Sequence, residues 1–187
     1  MRLDLKCPFC RKPGPKSEAD CDRNMMKRAE ANNPDALRSL GTQRREGGDY
    51  KGAFEYWTKA AELGNVSAHY DLAVMYQLGA GVEKDEKKML YFLEKAAIAG
   101  HPEARCNLGC HELSAGDYGR AVKHFIIAAT LGDDAALANL KTCYQKGILS
   151  KEDFAAALRA HKATVDATKS PQREAADTEA AERRGLT

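Results

Sequence analysis

Several features that specific chemistry usually demands are missing from this sequence. Neither sign of charge dominates: 29 Lys and Arg stand against 27 Asp and Glu in 187 residues, leaving a formal charge of +2. A nucleic-acid binder needs a dense basic face, so nucleic acid is not an expected partner. No apolar run approaches the roughly 18 to 20 residues that cross a bilayer, so no membrane partner is expected either. The opening MRLDLKCPFC lacks the apolar stretch of a secretory signal, which points to a cytoplasmic, reducing setting. Gly-rich phosphate loops, a Ser-His-Asp order and paired acidic motifs are also wanting. The expectation is a chain that is not an enzyme and takes no cofactor. Valine and isoleucine are sparse, and much of the 43% apolar content is alanine. That composition favours helices in close approach.

What is present is a repeat. The frames ALRSLGTQRREG from Ala36, AHYDLAVMYQLG from Ala68, ARCNLGCHELSAG from Ala104 and ALANLKTCYQKG from Ala136 share one pattern. Their marker leucines, Leu40, Leu72, Leu108 and Leu140, are spaced by 32, 36 and 32 residues. Alanine pairs follow at Ala60-Ala61, Ala96-Ala97 and Ala128-Ala129, separated from the leucines by 20, 24 and 20 residues. The four extra residues lie around GAGVEKDEKK, where an insertion lengthens a loop and leaves packing alone.

Each unit reads as two helices joined at a glycine turn: Gly47-Gly48-Asp49, Gly79-Ala80-Gly81 or Gly116-Asp117. Glycine closes the first helix and an aspartate after it caps the second. Large residues of the second helices, Phe54, Trp57, Tyr91, Leu93, Phe125, Phe154 and Leu158, recur with roughly helical spacing. Small residues at Gly41, Ala73, Gly109 and the alanine pairs permit close approach. One such hairpin cannot bury its apolar stripe alone, so the hairpins must stack.

The run Ala68, Leu72-Ala73, Tyr76, Gly79-Ala80-Gly81-Val82, Asp85, Lys88, Tyr91, Lys95-Ala96-Ala97 and Gly100 resembles the Sel-1-like repeat, a relative of the tetratricopeptide repeat (TPR). The resemblance covers residues 34 to 166. It departs at Arg44 and Glu112, which stand where Tyr76 does, and at Lys141, which replaces the small residue after Leu140. It implies an all-α fold, an α/α right-handed superhelix (solenoid) of about four helix-turn-helix repeats. It also implies an adaptor or scaffold whose partners are other proteins or peptides. By the same resemblance, the residues two before, one before and two after each marker leucine line a concave face. They are Arg38, Ser39 and Thr42; Tyr70, Asp71 and Val74; Cys106, Asn107 and Cys110; Ala138, Asn139 and Thr142. The polar row Ser39, Asp71, Asn107 and Asn139 suits a peptide backbone, since an amide side chain offers donor and acceptor.

The ends read differently. Residues 1–33 form a flexible segment, within which Asp20 to Asn33 is compatible with a charged helix, and Pro34 suits a first helical position. CPFCRKP resembles the last Cys-Pro-x-Cys pair of a RING-type zinc finger. Cys7 and Cys10 ligate metal only if a complete finger lies upstream, since structural zinc takes four ligands. That leaves a second expectation, a truncated or degenerate RING-type ubiquitin ligase whose repeats recruit substrate. Cys106 and Cys110 read as small buried hydrophobes, and His124, at an aromatic position, as a packing residue. Residues 167–187, charged and almost without large apolar side chains, read as a disordered tail.

Overall fold

The computed structural model describes residues 18–168, and Cys7 and Cys10 lie outside them. Among the described residues every regular element is a helix. They are α1 (Glu18–Glu30), α2 (Pro34–Glu46), α3 (Tyr50–Glu62), α4 (Val66–Leu78), α5 (Glu86–Ile98), α6 (Pro102–Ser114), α7 (Tyr118–Thr130), α8 (Asp134–Gln145) and α9 (Lys151–Thr168). The second half of the segment preceding Pro34 is thus α1, with Ala29 buried and Met25 packed on the first core. The hairpins α2/α3, α4/α5, α6/α7 and α8/α9 are the four repeats of the expected all-α solenoid. None of the described helices is long and apolar enough to cross a membrane.

The turns show why the helices begin and end where they do. Asp49 donates its backbone N–H to Arg44 O at 2.9 Å, closing α2, while its side chain accepts from Gly52 N at 2.9 Å, opening α3. Asp117 repeats this between α6 and α7, binding Glu112 O with its backbone and Arg120 N with its carboxylate. Asn65 does so after α3, and Asp133 after α7. One residue therefore satisfies orphan groups of two helices at once. Between the helices sits a residue such as Gly48 at φ 81° or Gly132 at φ 92°. Only glycine adopts that conformation without a Cβ penalty. The sequence reading named the caps at Asp49 and Asp117 and missed those at Asn65, Asp133 and His101, the last through its imidazole Nδ1, which accepts from Ala104 N at 3.3 Å.

The marker leucines are buried, Leu72 and Leu140 completely and Leu40 and Leu108 to within 9% and 7% exposure. The alanine pairs are buried as well. The described residues fall into two compact units that divide between Phe92 and Leu93, each with its own core. In the first, Trp57 fills the centre with Leu37, Leu40, Leu72 and Met75. Its indole N–H donates to Arg38 O at 3.1 Å, so the ring's one polar atom is satisfied. In the second, Phe125 packs with Leu140, Cys143, Leu149 and Ala157.

Two large residues lie outside the expected stripe. Tyr91 is exposed and rests edge-on against Phe92, 5.2 Å between ring centroids. Leu158 is exposed too, because α9 turns Ala157 and His161 inward. Phe154 instead stacks on Tyr144, centroids 5.2 Å apart and planes within 7°.

Candidate partner-binding face

In each hairpin the first helix commits one face to the core through its marker leucine, which leaves the flanking positions graded in exposure. In the first unit, Ser39 is exposed, Thr42, Tyr70 and Val74 are half-buried, and Asp71 is buried at 8%. Arg38 of α2 reaches α4: its Nε donates to Asp71 Oδ2 at 2.7 Å. A short charge-assisted contact of this kind belongs to the strong class of hydrogen bonds. Asn65 Nδ2 donates to Asp35 Oδ1 at 2.8 Å, a second polar tie between the start of α4 and α2. The hydroxyls of Ser39 and Thr42 donate to carbonyls four residues back, Asp35 O at 2.8 Å and Arg38 O at 3.2 Å.

The second unit repeats the geometry with different chemistry. Asn139 of α8 directs its Nδ2 at Cys106 Sγ and Cys110 Sγ of α6, 3.6 Å from each. Arg38 to Asp71 and Cys106 to Asn139 are the same relationship, the position two before one marker leucine meeting the position one before the next. Thr142 donates to Ala138 O at 3.1 Å and is exposed; Asn107 is half-buried.

The structure thus brings the sequence-derived residues together in two sets, Arg38 with Asp71 and Cys106 with Cys110 and Asn139. Asp71 and Asn139 already hold partners inside the protein, so the polar row is partly a seam between repeats. Cys106 is buried as a small hydrophobe, but Cys110, one turn further along α6, is exposed. Its thiol is lowered to about pKa 7, chiefly because Cys106 donates a hydrogen bond to it. His124 is half-buried, its Nδ1 has no hydrogen-bond partner, and burial first, then nearby Arg105, push its pKa down, with Glu112 opposing.

Sequence reasoning treated the insertion after Tyr76 as loop length alone. Its residues line an open cleft of about 540 Å³ in the first unit, formed by Phe54, Tyr76, Val82, Glu83, Lys84, Asp85 and Lys88. Tyr76 stacks on Phe92 at 5.7 Å, Phe54 meets Tyr76 edge-on at 6.0 Å, and Lys88 Nζ sits 5.2 Å over the Tyr76 ring. In the first and third repeats, which lack that tyrosine, charge takes its place: Arg44 lies 6.0 Å from the Tyr56 ring centroid, and Glu112 pairs with Arg120 at 2.7 Å. The signal for the cleft was the concentration of aromatic and basic residues around the insertion. Among the described residues no group of three or more metal-ligating side chains is gathered.

Paired helices, alanine-lined contacts and doubly used capping residues define an α-helical repeat protein of the TPR-like class. The chain belongs to the Sel1 repeat family: the Sel1 repeat model matches residues 34–65, 66–101 and 102–133, more than half its length. The α8/α9 hairpin follows as a further unit. Among curated proteins the chain is similar to DAP3-binding cell death enhancer 1 of Mus musculus, 28% identical over 175 residues, covering 72% of this chain and 34% of the relative. The Rattus norvegicus protein of the same name is 27% identical over 179 residues, 74% of this chain and 35% of the relative. The chain spans about a third of the length of these curated relatives. Among solved structures, a Sel1 repeat protein from Oxalobacter formigenes superposes with a TM-score of 0.64 at 29% identity, covering 80% of this chain and 64% of that one. The protective antigen c5321 of uropathogenic Escherichia coli, which displays an SLR fold, gives a TM-score of 0.64 at 26% identity, over 79% and 33% of the two chains.

Proposed function

We propose that this protein is a non-catalytic adaptor that holds a partner protein or peptide against the first-helix faces of its repeats. In the first unit that face is formed by Arg38, Ser39, Thr42, Tyr70, Asp71 and Val74. In the second it is formed by Asn107, Cys110, Asn139 and Thr142. The observation that carries the reading is the register itself: each marker leucine is buried, while all its flanking side chains except Asp71 and Cys106 are half-buried or exposed. Within each unit the face repeats from one hairpin to the next, which suits a ligand segment that meets equivalent positions in turn. The near-balanced charge favours protein over nucleic acid, and we place the activity in the cytoplasm.

The curated relatives carry DAP3 binding in their name, so DAP3 is the first partner to test. Arg38 and Asp71, being paired, contribute shape and local charge; Ser39, Cys110 and Thr142 are the accessible contacts. Partner capture by the full chain, compared with Ser39→Arg plus Thr142→Arg, tests the face. Loss of capture with unchanged helicity supports the assignment, and equal capture by both proteins removes it.

A further inference from the structure

Cys106 and Cys110 stand one turn apart on α6, and Asn139 of α8 holds its amide nitrogen 3.6 Å from both sulfurs. The two thiols have different surroundings: Cys106 is 4% exposed, whereas Cys110 faces water. Their unequal burial decides where the proton sits. A buried sulfur resists carrying charge, so Cys106 keeps its proton and donates it toward Cys110. The hydrogen bond to Cys110 and then burial push the Cys106 thiol far up. Cys110 moves the other way, to about 7: the Cys106 hydrogen bond is the largest cause, partial desolvation opposes it, and Asn139 assists. The titratable groups acting on Cys110 are Cys106 on its own helix and Asp133 before α8, whose carboxylate works against the charge. Reactivity requires a sulfur that is both ionised and accessible. Cys143 is neither, being buried and shifted upward by that burial.

We propose that Cys106, Cys110 and Asn139 form a thiol-exchange site at which Cys110 accepts one half of a low-molecular-weight disulfide. The Cys110 thiolate attacks one sulfur of the disulfide, a new S–S bond forms to Cys110, and the original S–S bond breaks. Its electron pair leaves with the other half as a thiolate, which takes a proton from water. Cys110 is oxidised, half of the small disulfide is reduced, and no further reactant is needed. A second small thiol reverses the step by attacking the outer sulfur, which releases Cys110 as the hydrogen-bonded thiolate, a good leaving group.

Cys106 acts as hydrogen-bond donor and not as a resolving thiol. Helical residues four apart keep their Cβ atoms about 5–6 Å from each other, beyond the roughly 3.5–4.5 Å that an S–S bond needs. An adduct on Cys110 stands on the face assigned above to the partner and blocks it. That consequence rests on the proposed function; the sulfur chemistry does not.

The test uses the full chain without partner, treated with dipyridyl disulfide across pH 5–10, acid-quenched, and read residue by residue by mass spectrometry. Cys110 is expected to react well ahead of Cys106 and Cys143, with an inflection near pH 7. Cys106→Ala moves that inflection up toward the ordinary thiol value. At pH 7 the rate then falls about fivefold, because a roughly fiftyfold loss of thiolate is offset about tenfold by higher intrinsic nucleophilicity. Cys106→Ser, whose hydroxyl still donates, keeps the low inflection, and Asn139→Ala raises it by a smaller amount. A Cys110 inflection at the ordinary thiol value, or one that Cys106→Ala leaves in place, overturns the proposal.

Discussion

Gly41 lies directly against the Trp57 indole: a Cβ built on Gly41 would stand 2.5 Å from both Cδ1 and Nε1 of the ring. Gly109 stands in the same way against Phe125, with 2.7 Å to its Cε1. In the first and third repeats the residue after the marker leucine is glycine because the second helix of the same hairpin places a large ring over it. No real side chain fits at such distances without moving the ring.

Gly41→Ala therefore destabilises the protein by about 1–3 kcal/mol through overpacking, measured by urea denaturation. Adding Trp57→Leu, the residue found at the equivalent second-repeat position as Leu93, recovers part of the loss. The double variant should lose less than the two single losses combined. A Gly41→Ala protein as stable as the parent contradicts this account of the hairpin contact.

The Arg38–Asp71 pair gives a second test. The Asp71 side chain is 10% exposed, so removing its partner leaves a nearly buried carboxylate unpaired, while Arg38 at 40% exposure is partly screened by water. Arg38→Ala is expected to cost about 1–2 kcal/mol, toward the lower part of the range for charged hydrogen bonds. Asp71→Asn, which still accepts from Arg38, costs less. Equal losses for the two variants would argue that the pair adds nothing beyond packing.

Much of this was legible in the sequence, and the limits have physical causes. The repeat register, the buried leucines and the aspartate caps at Asp49 and Asp117 follow from local pattern, because each depends on residues within a turn or two. Arg38 meeting Asp71 and Asn139 meeting two cysteines are contacts across 33, 33 and 29 residues. Polar side chains at equivalent positions announce a shared face and leave open whether they serve a ligand or each other. Leu158 failed for another reason: in α9 the apolar positions are mostly alanine, so helical phase rests on Ala157 and His161 and cannot be judged by size. The cleft around the insertion escaped because a loop was judged by its length and not by its side chains.

The capping scheme predicts a graded response at Asp133, which is buried and opens α8 by accepting from Ala136 N. Asp133→Ala loses about 1 kcal/mol. Asp133→Asn, copying Asn33 and Asn65 at the same place in the first two repeats, retains most of the stability. Thermal unfolding of the two variants should separate them, and identical melting would contradict the cap.

His124 sets a pH dependence. Its folded pKa lies below the ordinary histidine value of 6.5, so between the two values the unfolded chain binds the extra proton. Stability from this group is therefore complete above pH 6.5 and is lost as pH falls toward the folded pKa. His124→Phe, which copies Phe92, removes that loss. Its melting temperature should decline less than the parent's as pH falls from 7 to 5, and parallel declines would show that His124 contributes nothing.

Docking on the first helices of the repeats is tested most directly by hydrogen exchange of the full chain with and without a captured partner. Added protection is predicted in the segments around Leu40, Leu72, Leu108 and Leu140. Protection confined to α3, α5, α7 and α9, with those four segments unchanged, would contradict it.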